Sequence, residues 1–417
     1  MGTKTRLIIM NWLQFAIWGA YLTSMGGYLG SIGLGENIGW FYSIQGIVSI
    51  FMPAIMGVVA DRWIPAQRLL GICHLCSAIL MCYVGFIGSK LGECITFSDI
   101  FPVYTLAVAF YMPTLALSNS VSYTALDKAK LDTVKSFPPI RIFGTIGFIA
   151  SMWIVDLMGL QHTPTQFYAS ATWGFILGVY AFSLPNCPTS KDTSTSISDI
   201  FGLKSFALFK NARMRLFFIF SMLLGVSLQI TNGYANPYIS AFAIDSHYKD
   251  AFFVDHANLL ISLSQISETL CILLIPFTLR RFGIKSVMLM AMIAWTFRFG
   301  LFAIGDPMFP GVLCLILSMI VYGIAFDFFN ISGSLFVDKE TDSSARSSAQ
   351  GLFMLMTNGL GATIGTLAAQ AIVNRFVYSE SEPSLILEGW RYSWFIFAIY
   401  SAVVCVLFAL LFKRKQA

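Results

Sequence analysis

The densest chemistry in this chain is the run Ser264-Gln265-Ile266-Ser267-Glu268, set inside a long apolar stretch. Gln265 and Glu268 stand three residues apart, so a helix projects their amide and carboxyl from one face. A carboxyl surrounded by hydrocarbon is either paired with a cation or protonated, because an isolated buried charge is strongly disfavoured. Other polar groups recur at helical spacing. Asn11, Gln14, Trp18 and Tyr21 fall on one stripe, as do Gln229, Asn232 and Asn236. Ser318, Tyr322 and Phe326 follow at steps of four, then Asn330, with Asp327 about 100° round the helix. Thr114, Ser118 and Ser122 share a face, with Asn119 beside it, and Arg141 leads Thr145 and Phe148 along another. Amide, hydroxyl and aromatic groups repeated in this way read as the lining of one cavity. The plainer alternative for any one of them is an interhelical hydrogen bond that serves packing. Enzymatic chemistry has little support: His74, His162, His247 and His256 are dispersed, and neither a paired-carboxylate metal site nor a nucleophile motif is present. Cys73 and Cys76 form a C-x-x-C without a second ligand pair, so they read as small packing residues rather than a metal or redox site.

The elements that must hold these groups are membrane helices. Of the 417 residues, 57% are hydrophobic and 11% charged, against about 25% charged in a soluble protein; mean hydropathy is +0.73. A bilayer core of about 30 Å takes around 20 apolar residues per helix. The chain accommodates twelve such spans, at 7–29, 39–60, 68–88, 99–120, 138–157 and 165–184, then 212–236, 254–277, 285–304, 309–335, 347–374 and 391–412. The longest polar interruption lies between Pro185 and Arg215 and includes the linker-like run Ser190 to Ser198. The expected organisation is an all-α polytopic membrane protein: a six-helix bundle over 1–184, a cytoplasmic linker over 185–211 and a second six-helix bundle over 212–417.

Charge sets the orientation. With both termini cytoplasmic, 20 of the 26 Lys and Arg residues fall in inner segments and 4 in outer ones, leaving Arg141 and Arg298 for the spans. This asymmetry follows the positive-inside rule. It accounts for the net charge of +5 without a nucleic-acid-binding face. Arg298 reads as a structural arginine able to snorkel outward; Arg141, one turn into its span, reads as deep or interfacial. The first span is longer than the apolar core of a cleavable signal, and the second follows too closely for a soluble mature domain.

The halves echo each other. Gly144-Thr-Ile-Gly147 in the fifth span answers Ala362-Thr-Ile-Gly365 in the eleventh, and small residues allow close helix approach. Charged loops follow the second and eighth spans, and the first of them, Gly57-Val-Val-Ala-Asp61-Arg62, resembles the loop signature of the major facilitator superfamily. The polar clusters carry a sharper likeness. Phe137-Pro-Pro-Ile-Arg141-Ile-Phe-Gly-Thr145-Ile-Gly-Phe148, Leu228-Gln229-Ile-Thr-Asn232, Ser264-Gln265-Ile-Ser-Glu268 and Val321-Tyr322-Gly-Ile-Ala-Phe326-Asp327-Phe-Phe-Asn330 resemble the bacterial nucleoside:proton symporters, a branch of that superfamily. The likeness runs along nearly the whole chain and fades in the outer loops and the C-terminal tail.

The resemblance implies a major facilitator fold in the bacterial inner membrane and import of purine and pyrimidine nucleosides with protons by alternating access. No cofactor is implied, and a monomer suffices. It implies substrate contacts from Arg141, Thr145 and Phe148 in one half and from Gln229, Asn232, Gln265, Glu268, Tyr322 and Phe326 in the other. Glu268 is the first choice for the proton carrier and Asp327 the second. The residue types agree, since ribose hydroxyls suit amides and a carboxylate, and a flat base suits an aromatic face. The rival readings are a permease for a sugar or another small neutral solute, a membrane enzyme, and a non-transporting nucleoside sensor.

Overall fold

Hydrocarbon offers backbone N–H and C=O groups no partner but each other, so a chain this apolar must satisfy them within helices. The computed structural model describes residues 2–189, 203–341 and 346–412; the Ser190–Ser198 run and the basic tail after Phe412 lie outside them. Among the described residues, nine helical segments are long and apolar enough to cross a bilayer. The fold divides into two units, Met1–Asn37 with Ile44–Phe201 and Ile38–Ser43 with Gly202–Ala417.

In the first unit the helices are α1 (Thr3–Gly19), α2 (Met25–Ser31), α3 (Ile38–Arg62, whose first residues belong to the second unit), α4 (Ala66–Leu91), α5 (Phe97–Lys128), α6 (Thr133–Leu157) and α7 (Thr165–Ala181). The expected single span over 7–29 is loosened into turns between α1 and α2. The fifth span starts at Thr133 rather than 138. Asp132 sets that start, its Oδ1 accepting the Lys135 N–H at 3.3 Å, while Pro138 and Pro139 ride inside the helix. Arg141 therefore lies about 12 Å along the α6 axis from its first residue, at 1.5 Å per residue. Helices α1 and α6 cross closely through glycine. A Cβ added at Gly19 would strike the Phe148 carbonyl, and one at Gly147 the Trp12 carbonyl.

The second unit contains α8 (Ala212–Leu228), α9 (Ile230–Ala241), α10 (Phe252–Asp255), α11 (Ala257–Ile304), α12 (Gly311–Glu340), α13 (Arg346–Met354), α14 (Ala362–Val373) and α15 (Pro383–Leu411). Asn211 caps α8, accepting from Arg213 N at 2.9 Å and Met214 N at 3.4 Å. The expected seventh span is interrupted at Gln229, between α8 and α9. The eighth and ninth spans share one continuous element, α11, folded at Gly283 where φ is 74°. That left-handed backbone suits glycine, which has no Cβ to clash. A wide helical stretch, Leu355–Gly361, leads into α14. There Gly365 repeats the device of the first unit, since an added Cβ would strike the Val226 carbonyl of α8.

Candidate functional site

The first unit gathers its candidate residues along α6 and α1. The half-buried Arg141 lays its guanidinium 3.9 Å from the centroid of the Phe15 ring. This contact keeps the cation against an aromatic face inside the unit. Thr145 is half-buried one turn on, and Phe148 is buried, meeting Trp18 edge-on at 6.5 Å. The Trp18 Nε1–H is buried with no hydrogen-bond partner among the described residues.

Asn11 and Gln14 of the α1 stripe make internal bonds. Gln14 is a hub: its Nε2 donates to Thr114 Oγ1 at 2.8 Å, its Oε1 lies 2.7 Å from His74 Nε2, and its carbonyl accepts from the Tyr111 hydroxyl at 2.8 Å. Asn11 Nδ2 donates to the Leu7 carbonyl at 2.9 Å, and Ser122 to the Ser118 carbonyl at 2.8 Å. For Gln14 packing is the better account, whereas Trp18 and Tyr21 on the same stripe keep a buried donor without a partner among the described residues. The part played by His74 is invisible in the sequence, because a lone histidine in an apolar helix carries no signal of its partner.

In the second unit the interruption at Gln229 places two amides together. Asn232 Nδ2 donates to Gln229 Oε1 at 2.8 Å, fixing which end of the Gln229 amide is turned away. On α11, Gln265 is buried and its Oε1 takes no hydrogen bond among the described residues. Ser267 donates to the Ile320 carbonyl, tying α11 to α12, and Glu268 follows, half-buried. On α12, Tyr322 and Phe326 stack at 5.5 Å with 16° between their planes, while Trp295 meets Tyr322 edge-on at 5.9 Å. Asp327 is buried, its Oδ2 has no hydrogen-bond partner among the described residues, and Glu268 acts on it through charge. Tyr322 lies in the field of both carboxyls. Asp327, read as turned away from the Tyr322 stripe, thus belongs electrostatically to the same cluster.

Arg298, expected as a structural arginine able to snorkel outward, does not snorkel: it is buried, with Nη1 donating to the Ser318 carbonyl at 2.9 Å and to Ser264 Oγ at 3.3 Å. Its guanidinium carbon lies 4.3 Å from the centroid of the Tyr322 ring. Spacing alone could not reveal this, since α11 turns back at Gly283 and brings the ninth-span segment beside α12.

The arrangement provides amides, stacked rings and two interacting carboxyls, which bind and exchange protons rather than cleave bonds. The chain is 46% identical to the xanthosine permease of Escherichia coli K12 and 45% identical to the nucleoside permease NupG of the same strain. Each comparison covers 100% of this chain and 97% of the relative. The fold matches the crystal structure of the nucleoside transporter NupG with a TM-score of 0.90, at 45% identity and with 100% of both chains covered. The match to the nucleoside H+ symporter family spans residues 1–417, and the chain belongs to that family of membrane carriers, which are not enzymes.

Proposed function

We propose that this protein imports nucleosides together with protons by alternating access. The observation that carries the reading is the second-unit cluster: the Gln229–Asn232 amide pair, the unpartnered Gln265 oxygen, the stacked Tyr322 and Phe326 rings, and Glu268 in charge contact with Asp327. The amides and Glu268 would take ribose hydroxyls, and the rings would take the base, whichever it is; base–aromatic stacking is worth roughly 1–3 kcal/mol and tolerates any base. Arg141, Thr145 and Phe148 are the proposed contacts from the first unit. Both purine and pyrimidine nucleosides are expected substrates.

Glu268 is the proposed proton carrier, with Asp327 next in line. Asp327 makes no ion pair with lysine or arginine among the described residues, so the pair of carboxyls forms a place where proton number can change with ligand. One proton moving inward across 100 mV releases roughly 2.3 kcal/mol, enough for about a fiftyfold accumulation at tenfold per 1.36 kcal/mol.

The membrane reading that goes with this function is twelve spans, both termini cytoplasmic, in the bacterial inner membrane, with six-helix bundles over 1–184 and 212–417 and a linker over 185–211. The nine long segments support it, together with the fold of α11 at Gly283 and the 17-residue α1 and α7. One chain carries every proposed contact, so a monomer suffices. The test is uptake of labelled uridine and adenosine by proteoliposomes under an imposed inward proton gradient. Accumulation should vanish when the gradient is collapsed, and unlabelled nucleosides should compete where sugars do not. Accumulation indifferent to the gradient removes the coupling; competition by sugars alone removes the substrate assignment.

A further inference from the structure

Arg298 is 2% exposed in the second half of α11, yet it makes no ion pair among the described residues. A cation buried at membrane depth without a carboxylate is costly and therefore a functional candidate. Its surroundings show what it serves. The Arg298 guanidinium reaches the Ser318 carbonyl, and the Ser318 hydroxyl donates back to the Arg298 carbonyl at 3.0 Å, clamping α11 to α12 one turn before Tyr322. In place of a counter-ion it has the face of the Tyr322 ring at 4.3 Å, with the Phe302 ring farther off at 5.6 Å. Its Nε–H has no partner, so local hydrogen bonding does not fully account for the group.

Three groups hold the buried Tyr322 ring: Trp295 meets it edge-on, Phe326 stacks on it and the Arg298 guanidinium lies over it. A cation over a phenol ring attracts the ring, more strongly when water is excluded. The same positive field draws density from the phenol oxygen, so the O–H becomes a stronger donor to an outside acceptor. Lysine is a poor replacement, because the planar guanidinium can lie over the ring while its Nη1 donates to both the Ser318 carbonyl and Ser264 Oγ.

We propose that Arg298 is a positioning residue for nucleoside recognition, acting through the Tyr322 hydroxyl: by holding the ring it aims that hydroxyl, and by its charge it sharpens it, as a donor to an oxygen of the ligand. The proposal rests on the nucleoside-binding reading above and extends it to a residue behind the contact surface.

The test is a double-mutant cycle on the full chain, R298Q against Y322F, read as uridine Kd on purified protein and as KM and maximal rate in proteoliposomes. R298Q should raise Kd and KM about tenfold, in line with a desolvated cation–ring contact, and leave the maximal rate per folded molecule within about twofold. In the Y322F background R298Q should change Kd by less than about twofold, because the hydroxyl it acts through is gone, and R298K should fall between R298Q and wild type. Equal shifts in both backgrounds, or lost thermal stability with unchanged Kd, overturn the proposal. If R298Q does not purify as a monodisperse protein, the cycle is run with R298K, and its Kd increase must again disappear with Y322F or the proposal fails. A wild-type protein that binds uridine while the cycle is additive removes only the role of Arg298. A wild-type protein that binds no nucleoside removes the site reading, and this inference with it.

Discussion

At the scale of single residues, Gln265 and Asp327 each bury a polar oxygen with no partner among the described residues. Leaving such an atom unsatisfied costs about 1–3 kcal/mol, and a ligand hydroxyl donating to Gln265 Oε1 would offset that. Gln265→Leu should therefore leave thermal stability unchanged or slightly raised, while raising the KM for uridine at least about tenfold, the loss of one good hydrogen bond to a buried acceptor. A large fall in melting temperature with unaltered KM would show that Gln265 serves the fold instead. Glu268→Gln keeps the shape and removes the titrating proton. It should abolish accumulation driven by a proton gradient yet retain exchange of labelled for unlabelled nucleoside at about a tenth of the wild-type rate or better, since only the coupling step needs a group that changes charge. Should gradient-driven accumulation survive Glu268→Gln and be lost in Asp327→Asn, the proton belongs to Asp327.

At the scale of elements, the glycine-mediated crossings of α1 with α6 and of α8 with α14 hold the candidate residues in register. Gly147→Ala forces a methyl against the Trp12 backbone, which cannot swing aside, and should destabilise by about 1–3 kcal/mol as other over-packed contacts do. Gly300→Ala in α11 meets nothing within 4 Å and should stabilise by up to about 1 kcal/mol through helix propensity. Thermal unfolding of the two variants side by side decides the matter, and a stable Gly147→Ala protein would mean the helices have room to part. That spans five and eleven carry close-packing positions was legible in the repeated small-residue pattern of Gly144–Gly147 and Ala362–Gly365; which helix each would meet was not. The polar stripes were legible for the same reason: periodicity states which side chains share a face. It does not state what lies opposite. Gln14 was read as cavity lining, yet its amide is taken up by Thr114 and His74, residues 100 and 60 positions away. Arg298 was read as structural, but its partners were not legible, because those on α12 come within reach only after the chain turns at Gly283. Arg141 looked shallow because Pro138 mimics a helix start, whereas the cap is Asp132.

At the scale of the whole molecule, the charge economy separates a carrier of neutral nucleosides from one of nucleotides. With 20 of the 26 Lys and Arg residues read as lying in inner segments, few cations are left for a ligand. Of the two arginines assigned to spans, Arg298 is committed to Ser318, Ser264 and Tyr322, and Arg141 lies against Phe15. Two acidic groups, Glu268 and Asp327, stand in the proposed set of functional residues. A phosphate ester adds about 1.5 to 2 negative charges at neutral pH, and transferring them beside two carboxyls is unfavourable by several kcal/mol. Uridine 5′-monophosphate should accordingly neither be transported nor compete appreciably, with an inhibition constant at least about a hundredfold above the KM for uridine, equivalent to the modest penalty of about 2.7 kcal/mol. The measurement is competition against labelled uridine at fixed ionic strength in proteoliposomes containing no phosphatase. Competition by the monophosphate within a few-fold of uridine itself would require cations that these residues do not supply, and would overturn their assignment to a neutral ligand.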